Sequence, residues 1–206
     1  NKTTTGDEDG GTGTFVLTNS VLTAQNIVIG TNGFLGGSGT IIGNVVNHGI
    51  FSPGNSPGTM VIDGSFTAVA GSRLIMEVES DGHGGFKTDQ VVFGAGQAVD
   101  LSHLAVEFRF LGQTDPNSFQ ASHQFDVDTF FRVDDGHGGT VNLASTAFDT
   151  ATFAASAESY TINNFSFSAA GGAAFSAVPV PEPASWAMLA AGLAAVSFLS
   201  RRRRGA

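Results

Sequence analysis

The sequence lacks cysteine entirely and is poor in charge. Without cysteine, the 206-residue chain has no disulfide, thiolate zinc site, iron–sulfur cluster or cysteine nucleophile. Charged residues make up 13%, about half of the roughly 25% found in an average soluble domain. Aromatic residues are almost all phenylalanine: 18 Phe stand beside one Trp and one Tyr. The chain therefore depends on apolar packing, with neither disulfides nor a dense charged surface to support it.

Basic residues are also scarce outside one short run. Nine bases face 18 acids, and four of the nine form Arg201–Arg204. Residues 1–200 therefore contain five bases and 18 acids, a net charge of −13. Because binding to nucleic acid needs clustered Lys and Arg to neutralise phosphates, we expect no nucleic-acid partner.

The C-terminal end differs in composition from the rest of the chain. Three of the chain's six prolines, Pro179, Pro181 and Pro183, lie there and predict an extended segment that lacks backbone donors. Residues 184–200 then form an uncharged run, about 25 Å long as a helix, and Arg201–Arg204 follow. A transmembrane helix with a cytoplasmic arginine end is predicted, with residues 1–180 on the far side. An amphipathic helix packed on the body is the alternative, but only Ser185 and Ser197 would supply its polar face.

Pro181, Glu182 and Pro183, the short hydrophobic helix, and the basic cluster Arg201, Arg202, Arg203 and Arg204 together resemble the PEP-CTERM sorting signal of exported bacterial proteins. The resemblance implies recognition by an exosortase, cleavage near Pro-Glu-Pro, a transient inner-membrane intermediate and a final place at the cell surface or outside the cell. It also implies a host that forms biofilms and makes exopolysaccharide. Since no basic-then-apolar leader opens the sequence, we expect it to have been removed or the sequence to be a fragment.

Residues 14–70 are short β-prone triplets separated by glycine or asparagine, after a flexible segment at 1–13. Strands this short, with turns this close, suit a solenoid in which each strand pairs with its equivalent in the next coil. The predicted fold is therefore all-β, a short parallel β-helix. The triplets are Phe15–Leu17, Ile27–Ile29, Thr40–Ile42, Asn44–Val46, Gly49–Phe51 and Met60–Ile62.

Residues 36–59, which include Ser-Pro-Gly-Asn-Ser-Pro-Gly, resemble the autotransporter-type β-helix repeat, with weaker continuations at 72–80, 89–94 and 104–110. The resemblance implies a right-handed β-helix that serves as a passenger or stalk on a cell surface. Residues 71–168 change to apolar–polar alternation, which is typical of half-buried strands. They are predicted to be further coils or an antiparallel cap over the open end of the helix. Residues 169–180 are predicted to be a linker, and the Ala-, Ser- and Thr-rich segment 143–158 is predicted to be loop or stalk.

The repeated Gly-His-Gly-Gly is the most conspicuous polar motif. It follows Asp81 at residues 82–85 and follows Asp135 at residues 136–139. An acid and an imidazole this close are able to share a metal ion, yet a metal centre needs three or four converging ligands. We therefore interpret the two copies as hairpin loops whose Asp and Gly residues serve turn geometry.

Two acidic groups are candidates for calcium, although neither has the spacing of an EF-hand. One is Asp7-Glu8-Asp9. The other consists of Asp126, Asp128, Asp134 and Asp135. We expect no metal centre and no cofactor beyond weakly bound Ca²⁺.

No catalytic motif is evident. Residues 14–70 contain one carboxylate, Asp63, and no Lys or Arg, whereas a β-helix lyase or glycosidase needs several carboxylates on one face. The alternation places Glu77, Glu107 and Arg73 on the solvated face of amphipathic strands. The sequence predicts an exported, non-enzymatic surface or matrix protein, structural or adhesive, with exopolysaccharide or matrix as partner. Two alternatives stay open: a fragment of a carbohydrate-active β-helix enzyme whose catalytic coils lie upstream, and a permanently membrane-anchored protein.

Overall fold

A computed structural model shows an all-β protein built around a curled, open sheet, so the all-β part of the predicted fold is confirmed. The structure describes residues 2–5, 11–55, 57–81, 83, 86–111, 123–125, 129–157, 160–168 and 172–179. Seventeen strands and a 3-10 helix, Ser145–Phe148, lie in these ranges. The strands are β1 Lys2–Thr5, β2 Gly13–Ile29, β3 Gly33–Asn47, β4 Ile50–Pro53, β5 Thr59–Asp63, β6 Phe66–Ala68, β7 Arg73–Ser80, β8 Phe86–Thr88, β9 Gln90–Phe93, β10 Val99–Asp100, β11 Ala105–Phe110, β12 His123–Phe125, β13 Phe131–Asp134, β14 Thr140–Asn142, β15 Thr152–Ala157, β16 Tyr160–Ser168 and β17 Gly172–Pro179.

The main sheet consists of three parallel ladders side by side. The first runs β2–β3–β4–β7–β11–β15, the second β2–β3–β5–β9–β13, and the third β2–β3–β6–β10. The long strands β2 and β3 belong to all three ladders, whereas the later chain gives each ladder strands of its own. The passages β4–β5–β6 and β7–β9–β10 therefore each add one strand to every ladder in turn, whereas β11, β13 and β15 extend the first two ladders only.

The strands differ in length from the predicted triplets. β2 has 17 residues and β3 has 15, although the sequence predicted separate short strands at the triplets. Their pairing shifts register between Thr18 and Ser20 and again between Thr23 and Asn26. These irregularities bend the strand without ending its hydrogen bonding, as β-bulges do, so several triplets join into one bent strand.

Apolar side chains stack in columns on the inner side of the ladders. Register places residues of similar kind directly over one another from one strand to the next, which lets β-branched and aromatic side chains pack across strands. Burying these columns is the main favourable contribution to folding. The three columns are Phe15, Leu35, Phe51, Leu74, Val106 and Phe153; Leu22, Ile41, Ile62 and Phe93; and Ile27, Val45, Phe66 and Val99.

Phenylalanines fill the end of the core nearest the C-terminus. The ring centroids of Phe108 and Phe130 are 4.8 Å apart, and those of Phe131 and Phe148 are 5.2 Å apart. Phe167, from β16, lies 4.3 Å from Phe153. A second, antiparallel sheet, β12–β17–β16, thus contacts the main core through Phe167.

Two segments that the sequence predicted as linker or loop contain regular structure. β17 lies within the predicted linker 169–180 and pairs antiparallel with β16. Likewise, the 3-10 helix and β15 lie within the Ala-, Ser- and Thr-rich segment 143–158. Small side chains lower the apolar signal of a segment, but its main chain still pairs when a neighbouring strand edge is open.

Candidate functional sites

The two Asp-Gly-His-Gly-Gly copies form the tips of two antiparallel hairpins, so the loop interpretation is confirmed. The first joins β7 to β8, and the second joins β13 to β14. Their described atoms have the same geometry. The His83 main-chain N–H donates to Asp81 Oδ1 at 2.7 Å, and His137 N–H donates to Asp135 Oδ1 at 2.7 Å. The aspartates thus organise the turns by side-chain hydrogen bonds to the main chain, as Asx-turns do.

The same turns also orient the imidazoles. Nδ1 of His83 lies 2.9 Å from the Asp81 main-chain oxygen, and Nδ1 of His137 lies 2.9 Å from that of Asp135. Such a contact favours the tautomer with its hydrogen on Nδ1, which leaves Nε2 as the acceptor. Each tip therefore offers one exposed imidazole nitrogen. No group of three or more His, Cys, Asp or Glu side chains able to hold a metal occurs in the described part of the chain.

Of the four predicted calcium ligands in the later segment, Asp134 and Asp135 lie within the described residues, and Asp126 and Asp128 lie outside them, as does Asp7-Glu8-Asp9. Asp134 Oδ1 accepts the Gly136 N–H at 2.7 Å. Asp135 Oδ1 accepts the N–H groups of His137 and of Gly139, the latter at 2.9 Å. One oxygen of each carboxylate is thus engaged in the turn.

Arg73 of β7 forms an ion-paired cluster with Glu107 and Arg109 of β11 on the outer side of the first ladder. Glu107 accepts hydrogen bonds from Arg73 Nη2 at 2.7 Å and from Ser156 Oγ at 2.7 Å, and Arg109 lies 3.5 Å away. The Ser156 hydrogen bond, followed by the positive charge of the arginines, lowers the pKa of Glu107. A carboxylate held in its ionised form by these partners is poorly suited to act as a general acid.

A shallow groove of about 550 Å³ lies between the turn after β9 and the 3-10 helix. Its polar lining includes Gln97, Asp100, Ser102, Thr146 and Asp149. The Ser102 hydroxyl and N–H both donate to Asp100, and these hydrogen bonds lower its pKa. The groove therefore presents an ionised carboxylate, hydroxyls and an amide, which are groups that hydrogen-bond polar or cationic small molecules.

Asp89 is another titratable group that sequence reasoning missed as a special site. It precedes β9, its side chain is fully buried, and burial raises its pKa to about 7. The available signal was a lone acid two residues ahead of the apolar triplet Val91–Phe93. That signal is ambiguous, because the burial depends on a loop that lies 31 residues earlier in the chain.

The predicted sorting residues, Pro181–Pro183 and Arg201–Arg204, lie outside the described residues, as does the predicted transmembrane helix 184–200. Within the described ranges, the structure contains no helix long and apolar enough to cross a membrane.

Comparison with known proteins gives one match. Residues 179–204 match the PEP-CTERM protein-sorting motif, which covers the predicted Pro-Glu-Pro, apolar segment and arginine cluster. This motif implies export, sorting to the cell surface and processing by an exosortase. No curated protein and no solved structure shows significant similarity to the chain.

Proposed function

We propose that the protein is a non-enzymatic component of the cell surface or extracellular matrix, structural or adhesive, released from the inner membrane when an exosortase removes its C-terminal signal. The observation that carries the proposal is the sorting motif at residues 179–204. Pro181, Glu182 and Pro183 form the recognition site, residues 184–200 hold the precursor in the membrane, and Arg201–Arg204 keep its end in the cytoplasm. Exopolysaccharide or another matrix polymer is the proposed partner.

For the body, the proposed architecture is a parallel β-helix. The three parallel ladders support it, because each strand of a ladder pairs with a strand from an earlier passage of the chain. The stacked columns of like residues support it too, since an extended stack of this kind is typical of solenoids. A rod-like body held together by apolar stacking suits a structural or adhesive role better than a catalytic one.

The surroundings of two acids of the body, Glu107 and Asp89, support the non-enzymatic part of the proposal. Glu107 is held by Arg73 and Ser156, and Asp89 is enclosed by main chain. A glycosidase needs two carboxyl groups on either side of an accessible bond. Neither of these two acids is offered to a substrate in that way. Any Ca²⁺ is proposed to bind weakly at surface acids.

The intact mass of the protein recovered from the surface or medium of its host tests the sorting proposal. A mass that lacks the segment from about Pro181 onward is the expected result. Glu182→Gln should leave the full-length chain in the inner membrane, whereas Glu79→Gln, which changes an acid of the body, should be processed normally. A released protein that still carries Arg201–Arg204 would contradict exosortase processing.

The arginine cluster is tested separately by two quadruple variants. Replacing Arg201–Arg204 by lysine keeps the positive charge and should preserve the membrane orientation, while replacing them by glutamine should disturb it. Equal processing of both variants would show that the charge of the cluster has no role in sorting.

A further inference from the structure

The strand β2 has one edge that is only partly covered. Its first edge pairs with β3 from Gly13 to Ile29. On its second edge, β1 pairs only with Asn26–Ile29. Within the described residues, no strand pairs with this second edge at 13–25. The main-chain N–H and C=O groups that point outward there are therefore available to a further strand.

The burial of the inner side chains differs between the covered and the uncovered part of β2. Where β1 covers the strand, Ile27 is fully buried. Phe15 and Leu22, which begin the first two inner columns, are only partly buried. Leu35 and Ile41, the residues of β3 that pair with them, are fully buried. The apolar columns are thus open at the β2 end, and a strand placed on this edge would bury them further.

At the opposite end of the stack, other elements lie over the last strand of each ladder. Phe167 of β16 packs on Phe153 of β15, and β14 pairs with β13. Beyond β10, the Leu101 N–H donates to the Ala147 carbonyl of the 3-10 helix at 2.8 Å. In the described chain, the long uncovered edge therefore belongs to β2. A contact between two copies of the same edge closes as a two-fold dimer and does not continue into a fibre.

The β2 end is also the uncharged part of an acidic chain. Residues 10–62 contain no Asp, Glu, Lys or Arg, whereas residues 1–200 carry a net charge of −13. Of the charges earlier in the chain, Lys2 pairs beside Asn26, and residues 7–9 lie outside the described residues. Edge strands that stay unpaired are commonly protected by charge or proline, and β2 contains neither. Two acidic chains repel each other least at this end, which favours a second copy of the chain as the partner.

The sequence of β2 matches itself when two copies run antiparallel. The register that sets Val16 of one copy opposite Val21 of the other also sets Phe15 opposite Leu22. Val16 and Val21 are 53% and 63% exposed, whereas Phe15 and Leu22 both face the core. Val16 and Val21 lie an odd number of residues apart, yet both face outward, because the strand is irregular at 18–20. In this register outward-facing residues meet outward-facing ones, and inward-facing residues meet inward-facing ones.

We propose that the uncovered edge of β2 is the interface of a two-fold dimer, in which residues 14–23 of two copies pair antiparallel. The two-fold axis passes through the irregular part of the strand, between Thr18 and Asn19. Pairing joins the two stacks into one continuous sheet and covers Phe15 and Leu22 of both copies. The dimer depends on the body alone and therefore does not require the proposed surface or matrix role.

Disulfide cross-linking tests the register, because the chain has no cysteine of its own. Directly opposed residues of antiparallel strands have Cβ atoms about 4.5–5.5 Å apart, which a disulfide approaches closely. The full-length double variant Val16→Cys/Val21→Cys, oxidised in detergent micelles, should therefore give a covalent dimer on a non-reducing gel. Within one copy the two positions are about 16 Å apart, too far for an internal disulfide.

The single variant Val16→Cys is the first control and should stay monomeric on the gel, because the two copies of residue 16 are also about 16 Å apart in this register. The second control, Val16→Cys/Val141→Cys, uses an equally exposed valine of β14 and should stay monomeric too. A double variant Val16→Cys/Val21→Cys that stays monomeric would overturn the proposal. Equal cross-linking of Val16→Cys alone would overturn it as well.

Charge variants test the same pairing without a covalent bond. Val16→Lys/Val21→Lys sets like charges opposite each other and should raise the dissociation constant of the dimer more than about tenfold in sedimentation experiments. Val16→Lys/Val21→Glu sets opposite charges together and should retain the dimer, as should Val141→Lys. Unmodified protein that is monomeric at all concentrations would overturn the proposal. Equal association of all variants would also overturn it, since another surface would then hold the copies together.

Discussion

Gly37 and Gly71 have nearly the same φ angle but very different surroundings. Their φ angles are +95° and +91°. A Cβ on Gly37 would lie 1.9 Å from the carbonyl oxygen of Leu17 in β2, whereas nothing lies within 4 Å of the equivalent position on Gly71. Alanine at each position, in separate variants, therefore separates the cost of the backbone conformation from the cost of forcing two ladder strands apart.

The expected magnitudes differ accordingly. Positive φ costs a residue with a Cβ about 1–2 kcal/mol, and this applies to both variants. In Gly37→Ala the Cβ must also move from 1.9 Å to at least 3.0 Å from a main-chain oxygen that is held in the ladder. Such overpacking adds about 1–3 kcal/mol. We expect Gly71→Ala to lose about 1.5 kcal/mol of unfolding free energy and Gly37→Ala about 2–5 kcal/mol.

Equilibrium urea unfolding of the full-length chain, followed by far-ultraviolet circular dichroism, measures both values. The unchanged slope of unfolding free energy against urea in Gly71→Ala would show that the variant still unfolds as the parent does. Equal losses in the two variants would refute the close stacking of β2 on β3 at Gly37. A larger loss in Gly71→Ala would refute the whole steric argument.

Three further variants test other parts of the body. Asn47→Ala should lower the free energy of unfolding by about 3 kcal/mol, because the buried Asn47 amide pairs with Gly49 N–H and the Arg73 carbonyl. Urea unfolding measures the loss. Asn44→Ala, a change at an exposed asparagine, is the control and should lose far less unfolding free energy. Phe108→Ala should lose about 3–5 kcal/mol in the same assay, because its fully buried ring meets Phe130 and Phe167. Glu107→Gln should be less stable than the parent above pH 4.5, and the difference should vanish as pH falls through the lowered pKa of Glu107; thermal unfolding across pH 3–7 measures it, and a difference that grew in acid would contradict the ion-pair assignment.

Much of the inner surface was predictable because it depends on local pattern. Phe51, Ile62 and Val45 lie in apolar triplets and also lie in the buried columns. Alternation is a direct consequence of strand geometry, so Val106 and Phe108 were readily assigned to the inner face. The Asp-Gly-His-Gly-Gly tips were predictable for a similar reason, since Asp and Gly determine turn geometry within a few residues.

Features that depend on distant parts of the chain were not predictable. The triplets of residues 14–29 merge into one bent strand only because β3 pairs along all of it. Asp89 looks like an ordinary surface acid until Gly54 and Gly58 fold over it. β17 contains mostly small residues, and its strand conformation depends on pairing with β16. In each case the contact that determines the structure joins segments that are far apart in the sequence. A local sequence pattern therefore does not predict it.

The register of the first ladder shows which parts of the chain tolerate changes in length and which do not. Along the inner column the spacing is 16 residues from Leu35 to Phe51, 23 from Phe51 to Leu74 and 32 from Leu74 to Val106, yet the pairing stays in step. A residue inserted inside a strand would turn every following side chain to the wrong face, whereas the lengthening seen here falls between the strands of this ladder.

The hairpin tips at His83 and His137 are places where such lengthening already occurs, because each projects from a ladder strand and returns to the body. They are consequently natural points at which to graft foreign peptides. An epitope or affinity sequence placed at either tip would be displayed on an acidic, cysteine-free scaffold without altering the pairing of the ladder strands. The same tolerance lets the body diversify its surface while its stack of strands stays constant.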